Sequence, residues 1–143
     1  MITAREYRKG DIALVPVAEA DPFDGYAEHA EARFAGLTSY DLNGELVAVT
    51  YYSPMWDGVA DAAALVNREL AFGHGLELAK VIRSRIDVLM RENRLHRVQA
   101  TADPADTASQ VFLRAMGYRY ESTMQAGAPD GSDLMLFVII KRV

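Results

Sequence analysis

Only one long stretch of the chain repeats its apolar positions every three to four residues. In residues 75–93, Leu78, Val81, Ile82, Ile86, Leu89 and Met90 fall on a single helical stripe, which predicts a long amphipathic helix with that stripe against a sheet. Shorter apolar or alternating runs predict strands over residues 3–7, 37–42, 45–53, 59–66, 95–102, 118–125 and 133–142. Asn43-Gly44 separates the second and third strands and predicts a tight two-residue hairpin, because both central residues of that turn need positive φ. Trp56-Asp57-Gly58 reads as a second turn, and residues 128–132 close the last two strands into an antiparallel hairpin.

Three shorter helices complete the order. Asp11 reads as the cap of a short helix that Pro16 limits, and a second helix over residues 25–34 follows the turn at Asp21-Pro22. Asp103-Pro104 reads as a third start, an acid followed by proline at the first helical position. That helix carries Val111, Phe112 and Met116 inward and stops at Gly117. Val98 lies beside them on its strand. The order is β-α-α-β-β-β-α-β-α-β-β, an α/β (mixed α+β) class with one right-handed βαβ crossover around the long helix. No linker, repeat or low-complexity segment divides residues 1–143, so a single domain is expected.

Composition narrows the chemistry. Half of the 143 residues are hydrophobic, enough for a core. The longest apolar run, residues 134–140, is strand-sized, and residues 1–7 lack the apolar centre of a secretory signal. The absence of cysteine excludes disulfides, thiolate zinc sites and a cysteine nucleophile. His29, His74 and His96 are scattered, and no metal is expected. A cytoplasmic setting follows as the simplest expectation. A net charge of −5 and a pI near 5.1 argue against nucleic acid or anionic membrane as partners. The one basic cluster, Arg83, Arg85, Arg91, Arg94, His96 and Arg97, is interrupted by Asp87 and Glu92 and reads as a solvated helix face. No serine has a recognisable nucleophile setting.

The segment 67–118 carries a family likeness. Leu70-Ala71-Phe72-Gly73-His74-Gly75 opens the long helix, Leu95-His96-Arg97-Val98-Gln99-Ala100 follows it, and then come Asp106-Thr107-Ala108-Ser109 and Leu113-Arg114-Ala115-Met116-Gly117-Tyr118. This succession resembles the core of the GNAT acyl-CoA N-acyltransferases, with their Arg/Gln-x-x-Gly-x-Gly/Ala loop, long helix, strand, Asn-x-x-Ala-like helix start and Tyr-x-x-x-Gly-Phe ending. The tail from Met124 through Pro129-Asp130-Gly131-Ser132-Asp133 more loosely resembles GNAT-like proteins carried by bacteriophages. The C-terminal half carries these matches, while the first half agrees in element order alone.

The resemblance implies a GNAT fold and transfer of an acetyl group from acetyl-CoA to an amine of a small molecule or protein. It implies that Phe72, Gly73, His74, Gly75, Leu76 and Glu77, with Lys80 a turn later, hold the coenzyme's pyrophosphate. A helix start offers unpaired amides and partial positive charge there, and glycines admit close approach. Glu69 and His74 are the titratable candidates for catalysis beside that loop. Tyr51, Tyr52 and Trp56 fall where the family shapes its acceptor pocket. The likeness breaks at three positions: the loop donor falls on Leu70, the tyrosine that often protonates the departing thiolate falls on Leu113, and the Asn position carries Asp106. Glu69 and Glu77 add negative charge. A second reading therefore stands beside the first: a GNAT-fold phage protein without turnover or bound coenzyme, serving in the virion or binding a host protein in the host cytoplasm.

Overall fold

The computed structural model describes residues 1–16 and 26–142. The turn expected at Asp21-Pro22 lies outside the described residues. The elements are β1 (Ile2–Glu6), α1 (Asp11–Leu14), α2 (Tyr26–Arg33), β2 (Ala35–Leu42), β3 (Glu45–Trp56), β4 (Val59–Val66), α3 (Arg68–Ala71), α4 (Gly75–Glu92), β5 (Arg97–Ala102), α5 (Thr107–Ala115), β6 (Arg119–Met124) and β7 (Leu134–Ile140). The strands form one seven-stranded sheet in the order β1-β2-β3-β4-β5-β7-β6. All neighbours are antiparallel except β4 and β5, which are parallel and joined through α4.

Turn chemistry sets the register of the first half. Asn43 and Gly44 have φ of 50° and 89°, and Leu42 faces Glu45 across the hairpin that the dipeptide predicts. Gly58 has φ 79°, and its carbonyl accepts from the amides of both His96 and Arg97 at 2.9 and 3.1 Å, which fixes where β5 begins against β4. An added Cβ at Gly58 would lie 2.3 Å from the His96 ring, so glycine is required there on two counts.

The core has two parts, one on each face of the sheet. α4 and α5 cover one face, where Leu78, Ile82 and Met90 bury against Tyr40, Ala48, Val98 and Phe137. On the opposite face Ile12, Val15 and Ala30 pack around Val49. α5 ends as its sequence implies: Gly117 takes φ 100°, its amide donates to Arg114, and that of Tyr118 donates to Leu113, both at 3.0 Å.

Several expectations are corrected. α3 adds a helix that four residues are too few to announce by period; Asn67 caps it by accepting from the Leu70 amide at 3.2 Å. Gly10, not Asp11, occupies the cap of α1, and the buried Asp11 carboxylate instead accepts from the Arg8 amide, the Ser39 hydroxyl and Arg5. α5 starts three residues later than Asp103-Pro104 suggests, because Asp103 closes a local turn onto the Ala105 amide and Asp106 takes the cap. Val111 is exposed, and Leu113 fills the inward place beside Phe112 and Met116. Ile86 and Leu89 point toward the sheet yet are only partly buried.

That last difference has a measurable consequence. Ile82→Ala is expected to cost about 2–5 kcal/mol, as removal of fully buried atoms does, and Leu89→Ala less than half as much. Urea unfolding midpoints check the ordering, and equal losses would mean that both sides of the helix are equally packed.

Candidate functional site

The site begins with an interrupted ladder. β4 and β5 are paired only at Val59↔Arg97, Ala60↔Val98 and Asp61↔Gln99. Beyond that point β4 stays on β3 as far as Val66, and β5 stays on β7 as far as Ala102, so the two strands part. Ala62 to Val66 therefore have no strand on one side. They remain partly exposed although β4 is the fourth of seven strands. Unpaired main-chain groups in such a place call for a partner. The gap widens into a cleft of about 1340 Å³. Since five consecutive residues of β4 line it, alternate side chains pointing to opposite faces, the cleft reaches both faces of the sheet.

The start of α4 stands at the open end. His74 occupies the cap without a side-chain bond to the helix, and Gly73 has φ 82°. The amides of Phe72 and His74 are taken up by Glu69 and Ala71 carbonyls of α3, whereas those of Gly73, Gly75, Leu76 and Glu77 meet no acceptor among the described residues. The extra helix thus removes the first donor of the expected run, Phe72, and interrupts the run at His74. A Cβ added at Gly73 or Gly75 meets nothing within 4 Å, so the backbone there is open to a ligand. Lys80 and Glu69 are exposed, and His74 Nδ1 lies 3.9 Å from Glu77 Oε1. Phe72 is 88% exposed and Leu76 64%.

A clasp crosses this open end. Arg68, just after β4, donates to Asp106 Oδ2 and Ser109 Oγ at 2.9 Å each, just after β5. Ser109 donates its hydroxyl and amide to the two oxygens of the same carboxylate at 2.6 and 3.1 Å. These bonds, Ser109's first and then Arg68's, hold the Asp106 carboxyl down at about 2. Asp106 is thus occupied as a helix cap and ion-pair partner.

The remaining candidates are dispersed. Leu70 packs on the core and Leu113 is 7% exposed, so hydrophobic packing explains both side chains. Tyr51 stacks on Phe34 at 4.2 Å, Tyr52 stands on the other face of β3, and Trp56 is exposed at the β3–β4 turn. In the basic cluster, Arg85 donates to Thr38 and Arg97 forms a two-pronged bond to Glu121. Two residues escaped sequence reasoning. Asp61 is an exposed carboxylate at the last β4–β5 pair, beside the point where the strands part. Tyr118 lines the cleft, is 5% exposed, and has a hydroxyl without a partner among the described residues; burial pushes its pKa upward, so it stays neutral. Asp61 lies on no spacing motif and is marked out only by strand pairing, whereas Tyr118 closes the Leu113–Tyr118 motif and is brought to the cleft by the end of α5.

No family model and no curated protein matches the chain at the level of sequence. Solved structures do match in shape. Ard1 from Thermoplasma volcanium superposes with a TM-score of 0.77 at 16% identity, over 99% of each chain. The ribosomal-protein-S5-alanine acetyltransferase from Vibrio fischeri gives 0.71 at 16%, over 97% of this chain and 92% of that one. yncA from Salmonella typhimurium, solved with its cofactor acetyl-CoA, gives 0.69 at 17%, over 97% and 93%. The chain therefore has the fold of the GNAT acetyltransferases.

The clasp has a signature in acid. Asp106 titrates at about 2 against an ordinary 3.8, so its contribution to stability is complete above about pH 4 and is lost as the pH falls toward 2. Asp106→Asn keeps a capping side chain but removes that titration. Stability measured from pH 5 to pH 2 is expected to fall less steeply in the variant. Parallel curves would remove the assigned role.

Proposed function

We propose that the chain transfers an acyl group from a coenzyme A thioester, of which acetyl-CoA is the smallest, to an amine. The observation that carries this reading is the gap between two parallel strands with a free helix N-terminus at its mouth. A strand edge offers donors and acceptors to an extended, amide-bearing arm, and the amides of Gly73, Gly75, Leu76 and Glu77 suit a pyrophosphate. The coenzyme would supply the activated carbonyl. The chain would supply orientation, exclusion of water by the apolar cleft, and main-chain donors of β4 aimed at the carbonyl oxygen.

Position separates the roles. Glu69 and His74 stand at the mouth, beside Lys80 and the phosphate site. Asp61 lies about 16 Å away along β4, five residues at strand rise, at the closed end of the gap. Asp61 is thus better placed to take a proton from an acceptor amine as it attacks a thioester whose phosphates rest at the mouth. Tyr118, neutral and unpartnered, is a donor for a ligand in the cleft. The structural neighbours include an alanine acetyltransferase of a ribosomal protein, which favours an amine of a protein or peptide as acceptor. No feature among the described residues favours the alternative of a virion component or binder of a host protein.

Calorimetric titration with CoA and acetyl-CoA tests the reading. Binding tighter than about 1 mM is expected, weakened at least tenfold by Gly75→Val. That substitution should leave Tm unchanged, since the added side chain meets only open space. Absence of binding by the wild-type chain would sink the proposal and leave a fold without its coenzyme. If binding is found, Asp61→Asn is expected to lower kcat by about 10²–10⁴ while leaving the acyl-CoA Kd unchanged.

A further inference from the structure

The cleft holds more apolar room than an acetyl group can use. On the face covered by α4, β4 presents the methyl groups of Ala62 and Ala64, two residues apart. Across from them Ile86 and Leu89 line the same cleft and stay partly exposed, although their neighbours Ile82 and Met90 are fully packed. The far wall is Tyr52. A Cβ at Gly36 would lie 2.5 Å from its ring and 3.4 Å from Leu89 Cδ1, so ring and leucine meet over the glycine. This chamber begins where the β4–β5 ladder ends at Asp61↔Gln99, on the face opposite the Asp61 side chain, and lies beyond the wedge as entered from Gly75.

A native helix-sheet contact normally closes on itself, because an unfilled apolar cavity loses dispersion contacts and destabilises the fold. Small side chains opposite under-buried large ones in the middle of a domain point to an occupant. The chamber is apolar, so water is a poor one. Its continuity with the wedge selects the occupant: whatever extends from the thioester carbonyl at the ladder's end.

We propose that the acyl group accepted here is a medium-length hydrocarbon chain seated between β4 and α4. The inference rests on the acyl-CoA reading above and deepens it. Ile82 to Leu89 spans about 10 Å of helix, room for roughly eight bonds at the advance of about 1.2 Å per bond of an extended chain. Transfer forms the nitrogen–carbonyl bond, breaks the carbon–sulfur bond and passes the amine's proton to the base. The products are an N-acyl amine and free CoA.

Titration of the full chain with CoA, acetyl-CoA and octanoyl-CoA tests this. Octanoyl-CoA is expected to bind at least tenfold tighter than acetyl-CoA, since each buried methylene adds to affinity. Ile86→Phe, and separately Leu89→Phe, should fill the chamber and bring octanoyl-CoA to within threefold of acetyl-CoA. Two variants on different turns guard against one failing to fold. Equal wild-type affinities for acetyl- and octanoyl-CoA would overturn the chamber and leave the acyltransferase reading intact. A preference that survives both substitutions would place the chain elsewhere, on exposed Phe72 and Leu76, and overturn it too. Failure of all three ligands to bind would overturn both readings.

Discussion

The parallel pairing of β4 with β5 is the constraint on which the molecule turns. It consists of three residue pairs, anchored where the Gly58 carbonyl accepts from two successive amides. Were it longer, the centre of the sheet would close and the cleft would vanish. Were it absent, the sheet would fall into a β1-to-β4 half and a β5-to-β6 half joined only through helices. Three pairs are enough to make one sheet and few enough to leave Ala62 to Val66 with a bare edge. α4 spans the seam, so its packing on Tyr40 and Ala48 on one side and Val98 and Phe137 on the other is what keeps the two halves at a fixed angle.

Most of the architecture was legible in the order of residues because local rules and the global fold agree there. The helical stripe of α4, the Asn43-Gly44 turn, the β4 boundaries and the glycine stop after α5 each rest on a short-range preference that tertiary contacts did not oppose. The failures have a common cause. Asp11 and Asp103 are good helix caps in isolation, but each found another donor: Asp11 the Arg5 guanidinium and the Ser39 hydroxyl, Asp103 the amide of Ala105. For Asp11 the competing donors come from other elements, which capping rules do not count; for Asp103 the competitor is local, a turn that leaves the cap to Asp106.

The candidate site divides along the same line. The mouth was readable, since Gly73-His74-Gly75 before a long helix is a local pattern. Its interior was not. The run Asp61-Ala62-Ala63-Ala64 carries weak strand preference and no motif, and its meaning comes from a neighbouring strand departing after Gln99. Tyr118 and Leu113 exchange importance for a similar reason. A motif-based comparison directs attention to Leu113, which packing buries, and away from Tyr118, which the same helix end delivers to the cleft.

A cleft walled by main chain has an unusual relation to heredity. The N–H and C=O groups that β4 offers between Ala62 and Val66 are supplied by any residue other than proline, which lacks the N–H. Mutational drift can therefore rewrite the letters of this strand while the groups facing the gap persist. Selection acting on such a surface registers in the path of the backbone more than in the identity of the side chains. A chain built this way can superpose over 99% of its length on Ard1 from Thermoplasma volcanium while sharing 16% of its residues.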